Sequence, residues 1–149
     1  MAVLSDRDPV TGADAVWAVE PMTPRRAAVL DQLAAEIRDT VAICVVSARD
    51  RRVLAHHAPE AFTPEELGDA LYALAGSAIE ATAVLGGEEL FGVVRDGMVL
   101  TESAVIHYRV VGEDRAIIVL ADLPDQLAHL EVSRRVLAAY DDFVAFDGA

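Results

Sequence analysis

The spacing of apolar residues changes rhythm along this chain and divides it into helix, two strands, helix, three strands and helix. Leu30, Leu33, Ala34, Ile37 and Val41 recur at helical spacing behind Thr23-Pro24, a hydroxyl N-cap with proline at the first helical position. Ala42 to Ser47 and Arg52 to His57 read as two strands around a polar turn at Arg49-Asp50-Arg51. Thr63-Pro64-Glu65-Glu66 is a capping box that opens a second helix, with Glu66 placed to reach back to the Thr63 amide; Gly86-Gly87 stops it. Glu88 to Arg95 then reads as a strand, Asp96-Gly97 as a hairpin turn and Met98 to Val111 as a long extended stretch. Alternatively, Asp96-Gly97 is a bulge within one long strand and Val105 to Val111 is the next one. Gly112-Glu113-Asp114 leads into Arg115 to Ala121, and a last helix carries Leu130, Ser133, Leu137, Tyr140 and Val144 on one face.

This pattern predicts an α/β (α+β) fold in the order α-β-β-α-β-β-β-α. Because each helix carries an apolar stripe, the expected arrangement is a five-stranded antiparallel sheet with one helix on one face and two on the other: the second helix alone, the first and last together. Residues 1–22 show no sustained period and are expected to form a flexible N-terminal arm, followed by a domain over 23–146 and a tail at 147–149. Within the arm, Val16 to Val19 is a candidate short strand, and Trp17 a side chain that docks on the body or on a partner; a loosely packed tail is the simpler reading.

The second helix is apolar twice. Leu67, Ala70, Leu71, Leu74, Ala78, Ala81 and Leu85 fall within one arc, the sheet-facing side. Gly68, Tyr72, Ala75, Gly76, Ile79 and Ala83 form a second stripe of mostly small residues. Gly76 weakens a helix by about 1 kcal/mol relative to alanine, so it asks for a reason. A closely packed partner helix supplies one, and makes this stripe the expected dimer interface. Glu66, Asp69 and Glu80 lie on the remaining polar strip and are the candidate partner-binding residues.

Composition narrows the function. The 149 residues carry 12 basic and 25 acidic side chains, a net charge of −13, and every basic residue is arginine. Chemistry that needs a lysine is excluded: a Walker A phosphate contact, a Schiff base, a catalytic ammonium. So acidic a chain is ill suited to nucleic acid, where Lys and Arg supply affinity. The longest apolar runs, Val41 to Val46 and Ala116 to Ala121, are far short of the roughly 20 residues of a membrane span. The start of the chain lacks the basic and apolar regions of a signal peptide, so the expected location is the cytoplasm. The single cysteine, Cys44, agrees with a reducing compartment.

Candidate catalytic and metal-binding residues do not assemble. His56 and His57 are adjacent in a strand and point to opposite faces; His107 and His129 lack metal-ligand spacing. Gly76-Ser77 lies inside a helix and lacks the second glycine of a nucleophile elbow. Cys44 reads as a core residue with nothing nearby to lower its pKa. Asp6, Asp8, Gly12 and Asp14 only faintly resemble a calcium loop. The chain is therefore expected to be no enzyme and to need no cofactor and no metal.

The order of elements over Thr23 to Val144 resembles the Roadblock/LC7 family. The likeness is carried by the hairpin Ala42-Ile43-Cys44-Val45-Val46 to Val53-Leu54-Ala55, by the helix Leu71-Tyr72-Ala73-Leu74-Ala75-Gly76-Ser77-Ala78, and by Arg115 to Ala121 leading into a last helix. Two departures stand out. Family members commonly carry Asp-Gly in the first hairpin, where this chain has Asp50-Arg51, and the Asp96-Gly97 step is unexpectedly placed. The resemblance implies a homodimer in which second helices pack antiparallel and third strands join two sheets. It also implies a non-catalytic scaffold or regulator, often of a small Ras-like GTPase. The alternative is an acidic secretion-chaperone-like protein that binds extended client segments. Those usually place three strands before the middle helix and two after, the reverse of the order here. A ligand-binding sensor domain is a third option, and needs a polar-lined internal pocket.

Overall fold

A computed structural model describes residues 16–37, 39–59, 61–122 and 126–146, the side chains of 126–130 and 146 excepted. Its elements run β1 (Ala18–Val19), α1 (Pro24–Glu36), β2 (Thr40–Ser47), β3 (Arg52–His57), α2 (Pro64–Val84), α3 (Glu88–Phe91), β4 (Asp96–Leu100), β5 (Ala104–Val111), β6 (Arg115–Asp122), α4 (Gln126–Ala139) and α5 (Asp141–Phe146). The strands form one sheet in the order β1-β3-β2-β6-β5-β4. It has six strands where five were expected, and it is mixed: β1 pairs parallel to β3, and all other neighbours are antiparallel.

Strand alternation sorts the apolar residues onto two faces. Ile43, Val45, Ile117 and Val119 meet Leu30, Leu33 and Ile37 of the α1 segment and Leu137 and Val144 of α4 and α5. Ala42, Cys44, Val46, Ala116 and Ile118 meet Leu67 and Leu71 of α2. The helices therefore divide as their stripes required, with α2 on one face and the first and last on the other. The last helix breaks at Tyr140 into α4 and α5. Its one polar stripe residue, Ser133, is buried because its hydroxyl lies 2.9 Å from Nδ1 of the buried His107.

Three local expectations are corrected. Glu88 to Arg95 is not a strand: Glu88–Phe91 makes one helical turn between Gly87 and Gly92, both at positive φ. Asp96-Gly97 is neither hairpin nor bulge, but the start of β4, paired with Arg109 and Tyr108. A Cβ on Gly97 would sit 2.6 Å from the Tyr108 ring, so glycine is there to let that ring cross the strand. Third, Val16 to Met22 is not a loosely packed tail: the candidate strand at Val16 to Val19 forms as β1, and Trp17, only 3% exposed, docks on the body. The faint calcium-loop residues Asp6 to Asp14 lie outside the described residues. Among the described residues, no helix is long and apolar enough to cross a membrane.

Candidate functional site

The 21-residue helix α2 organises the site. Its start is fixed by the capping box: Thr63 Oγ1 accepts from the Glu66 amide at 3.1 Å, and Glu66 Oε1 accepts from the Thr63 amide at 2.9 Å. The Thr63 amide, and after it the Thr63 hydroxyl, favour the ionised Glu66 carboxyl and lower its pKa. Leu67 and Leu71 bury the first half of the helix on β2 and β6. Further along, burial fails. Ile79 is 56% exposed and Val84 82%, and Leu85, Leu90, Phe91 and Val93 beyond the helix are all exposed.

Beside this helix runs an open groove. Its first compartment, about 250 Å³ and mostly apolar, is lined by the Tyr72-Ala75-Gly76-Ile79 edge of α2, by Val46, Val110 and Ala116 of the sheet and by Trp17, with Glu113, Asp114 and Arg115 also at its wall. A second compartment of about 620 Å³ continues past Ile79 along Ala83, Gly87, Val93 and Val94. The stripe assigned to the dimer interface thus divides. Tyr72, Ala75, Gly76 and Ile79 line the first compartment and Ala83 the second, whereas Gly68 is buried under Trp17 of its own chain. A Cβ on Gly68 would fall 2.8 Å from Cε2 of that indole.

Trp17 is further held by its Nε1–H, which donates to Asp69 Oδ1 at 2.9 Å. Arg51 lies over two rings, 5.6 Å from the centroid of Trp17 and 4.5 Å from that of Tyr72. The φ of this arginine is 51°, in the left-handed region. That conformation costs a non-glycine residue roughly 1–2 kcal/mol. Cation–π contact returns about as much, so the stacked rings offset the strain.

The candidate acidic contacts are not equivalent. Glu66 is exposed while serving the capping box; Asp69 is half-buried beside Trp17, and Glu80 is half-buried as well. Sequence reasoning missed Leu90, Phe91 and Val93, which it placed in a strand, and the coupling of Trp17 to Gly68. The glycine at 68 was the signal for the second.

The titratable groups argue against nucleophilic chemistry at the cysteine. Burial, then the Glu65 charge, pushes the Cys44 thiol up to about 12, which keeps it protonated. His57 Nδ1 faces Asp31 at 3.3 Å, and burial lowers the pKa of His56. Burial likewise lowers His107 to about 4, against the pull of Asp96. Among the described residues, no group of three His, Cys, Asp or Glu side chains is placed to hold a metal ion.

No protein-family model and no curated protein matches the chain. Solved structures do. MglB of Myxococcus xanthus superposes with a TM-score of 0.63 at 12% identity, over 83% of this chain and 90% of that one. The gliding protein MglB of Thermus thermophilus gives 0.63 at 17% identity, over 86% and 96%. A Roadblock/LC7 domain from Streptomyces avermitilis gives 0.52 at 18%, over 77% and 93%. Taken with the division of helices between the two sheet faces, these superpositions show that the chain has the Roadblock/LC7 fold.

Proposed function

We propose that this protein is a non-catalytic, homodimeric scaffold or regulator of a small Ras-like GTPase. The observation that carries the reading is the open side of α2: an apolar groove beside a helix whose Ile79 is left 56% exposed. Contiguous apolar surface of this kind on a soluble domain marks a contact face. In a two-fold dimer the same patch meets itself, so Tyr72, Ala75, Gly76, Ile79 and Ala83 would lie about the axis. An MglB structure with a tetrameric arrangement superposes with a TM-score of 0.62, which supports self-association as a use of this fold. Glu66, Asp69 and Glu80 remain the proposed acidic contacts to the GTPase. As rim charges they would act mainly on association rate and salt dependence.

The test is co-purification from the native host, with identification of what is retained, followed by titration of the purified pair at low and high salt. A small GTPase whose binding weakens with salt, and weakens again in the Glu66→Arg, Glu80→Arg double variant, is the expected result. Retention of a secreted client instead would move the assignment to the chaperone-like alternative.

A further inference from the structure

The segment leading into α1 does something the sheet does not require. β1 is two residues long, and its two side chains, Ala18 and Val19, are exposed. Its parallel pairing to β3 is made through Ala18 N–H to Arg51 O and Glu20 N–H to Val53 O, both at 2.9 Å. Beyond it, the Glu20 carboxylate sits 2.8 Å from Arg52 and 3.3 Å from Arg26. Between Val16 and Val19, the only side chain buried in the body is Trp17. The side-chain burial of that stretch therefore lies in one indole, seated on a helical glycine that leaves room for it and hydrogen-bonded to Asp69, beside the β1 backbone bonds and the Glu20 ion pairs.

We propose that Val16–Glu20 is a latch on the α2 contact face, and that its docked state limits self-association. With Trp17 in place, Gly68 is covered, so only the stretch from Tyr72 to Ala83 is presented to a second copy. Release of Trp17 opens the stripe along its whole length, from Gly68 to Ala83, and leaves the Arg51 guanidinium stacked on Tyr72. Gly68 and Arg51 are the two positions where the chain departs from ordinary residue choice near the latch, and both touch Trp17. The proposal rests on the reading of α2 as the self-association face, and adds to it a device that sets how much of that face is available.

Trp17 is the only tryptophan in the chain, so its fluorescence reports the latch directly. Two variants open it by different routes. Gly68→Ala adds a Cβ that the seated indole cannot accept, while alanine itself favours the helix. Trp17→Ala removes the indole. With far-UV circular dichroism unchanged, Gly68→Ala should shift the emission to the red and raise its quenching by acrylamide. In sedimentation equilibrium both variants should self-associate at least about tenfold more tightly than the wild type, the gain expected when a blocked majority state is removed. Wild-type emission in Gly68→Ala overturns the latch, because the indole then needs no glycine. A wild type that dimerises, with variants that dimerise equally or more weakly, also overturns it, and in the weaker case makes Trp17 part of the interface. A monomer in all three proteins refutes the self-association reading itself, and the latch with it.

Discussion

The two faces of the sheet use similar residues to opposite ends. On the α1–α4–α5 face, Leu30, Leu33, Ile37, Leu137 and Val144 are all completely buried. Along α2 on the other face, the large side chains are deeply buried only at Leu67 and Leu71, and burial gives way to exposed Ile79, Val84 and Leu85 towards the end of the helix. One face is closed and supplies fold stability. The other is only half-closed, and the apolar surface it leaves is available for association. Burial, not composition, separates the two roles.

The sharpest way to break this contrast is to cut matching side chains on each face. Leu33→Ala on the closed face should cost about 2–5 kcal/mol of unfolding free energy, the transfer term plus a cavity that cannot collapse. Ile79→Ala on the open face should change monomer stability by no more than about 0.5 kcal/mol. Urea unfolding of both, at concentrations where the chain is monomeric, decides it; equal losses would place Ile79 in the core.

Acid should strike the closed face through His107, which is buried between β5 and α4. Its ordinary value of 6.5 falls to about 4 on folding. Between those limits the unfolded chain binds the extra proton. The stability contribution is therefore complete above about 6.5 and is lost as the pH drops towards about 4. At about 1.4 kcal/mol per unit, the loss approaches roughly 3 kcal/mol. Asp96 opposes this shift while Arg134 and Arg109 add to it, so a His107→Gln variant, which cannot take up a proton, should flatten that part of the pH profile. An unchanged profile in His107→Gln would assign the acid sensitivity to other groups.

A smaller effect belongs to the open face. Thr63→Ala removes one half of the capping box and should cost about 1 kcal/mol in thermal or urea unfolding. The variant keeps the Thr63 amide, the main cause of the lowered Glu66 pKa, but loses the hydroxyl that adds to it, so the Glu66 carboxyl should titrate somewhat closer to its ordinary value. No movement of that titration would leave the amide as the sole cause.

What the sequence made legible, and what it hid, follows the range of the interaction involved. The capping box at Thr63 and Glu66, the cap at Thr23 and the six-residue apolar runs of β2 and β6 are local signals, and each lies where the pattern placed it. The division of helices between faces followed because every stripe needed a sheet to cover it. The misread positions depend on distant partners. Gly97 looks like a turn residue until Tyr108, eleven positions on, is seen to cross it. Trp17 looked like part of a loose arm because its slot is made by Gly68, and its hydrogen bond by a residue 52 positions away. Leu90, Phe91 and Val93 have the composition of a strand, and only the positive-φ glycines at 87 and 92 make the short helical turn between them. The second stripe of α2 was legible as a stripe. That its first member is covered by the chain itself was not.

The central claim is that the exposed part of that stripe joins two copies of the chain. Sedimentation equilibrium of the wild type beside Ile79→Arg tests it most directly. Ile79 is over half exposed, so arginine leaves the monomer's core intact, yet in a two-fold interface it would set two like charges together with partial loss of solvent. The account predicts a dimeric wild type and a folded, monomeric Ile79→Arg. A monomeric wild type, or an Ile79→Arg variant that dimerises unchanged, would contradict it.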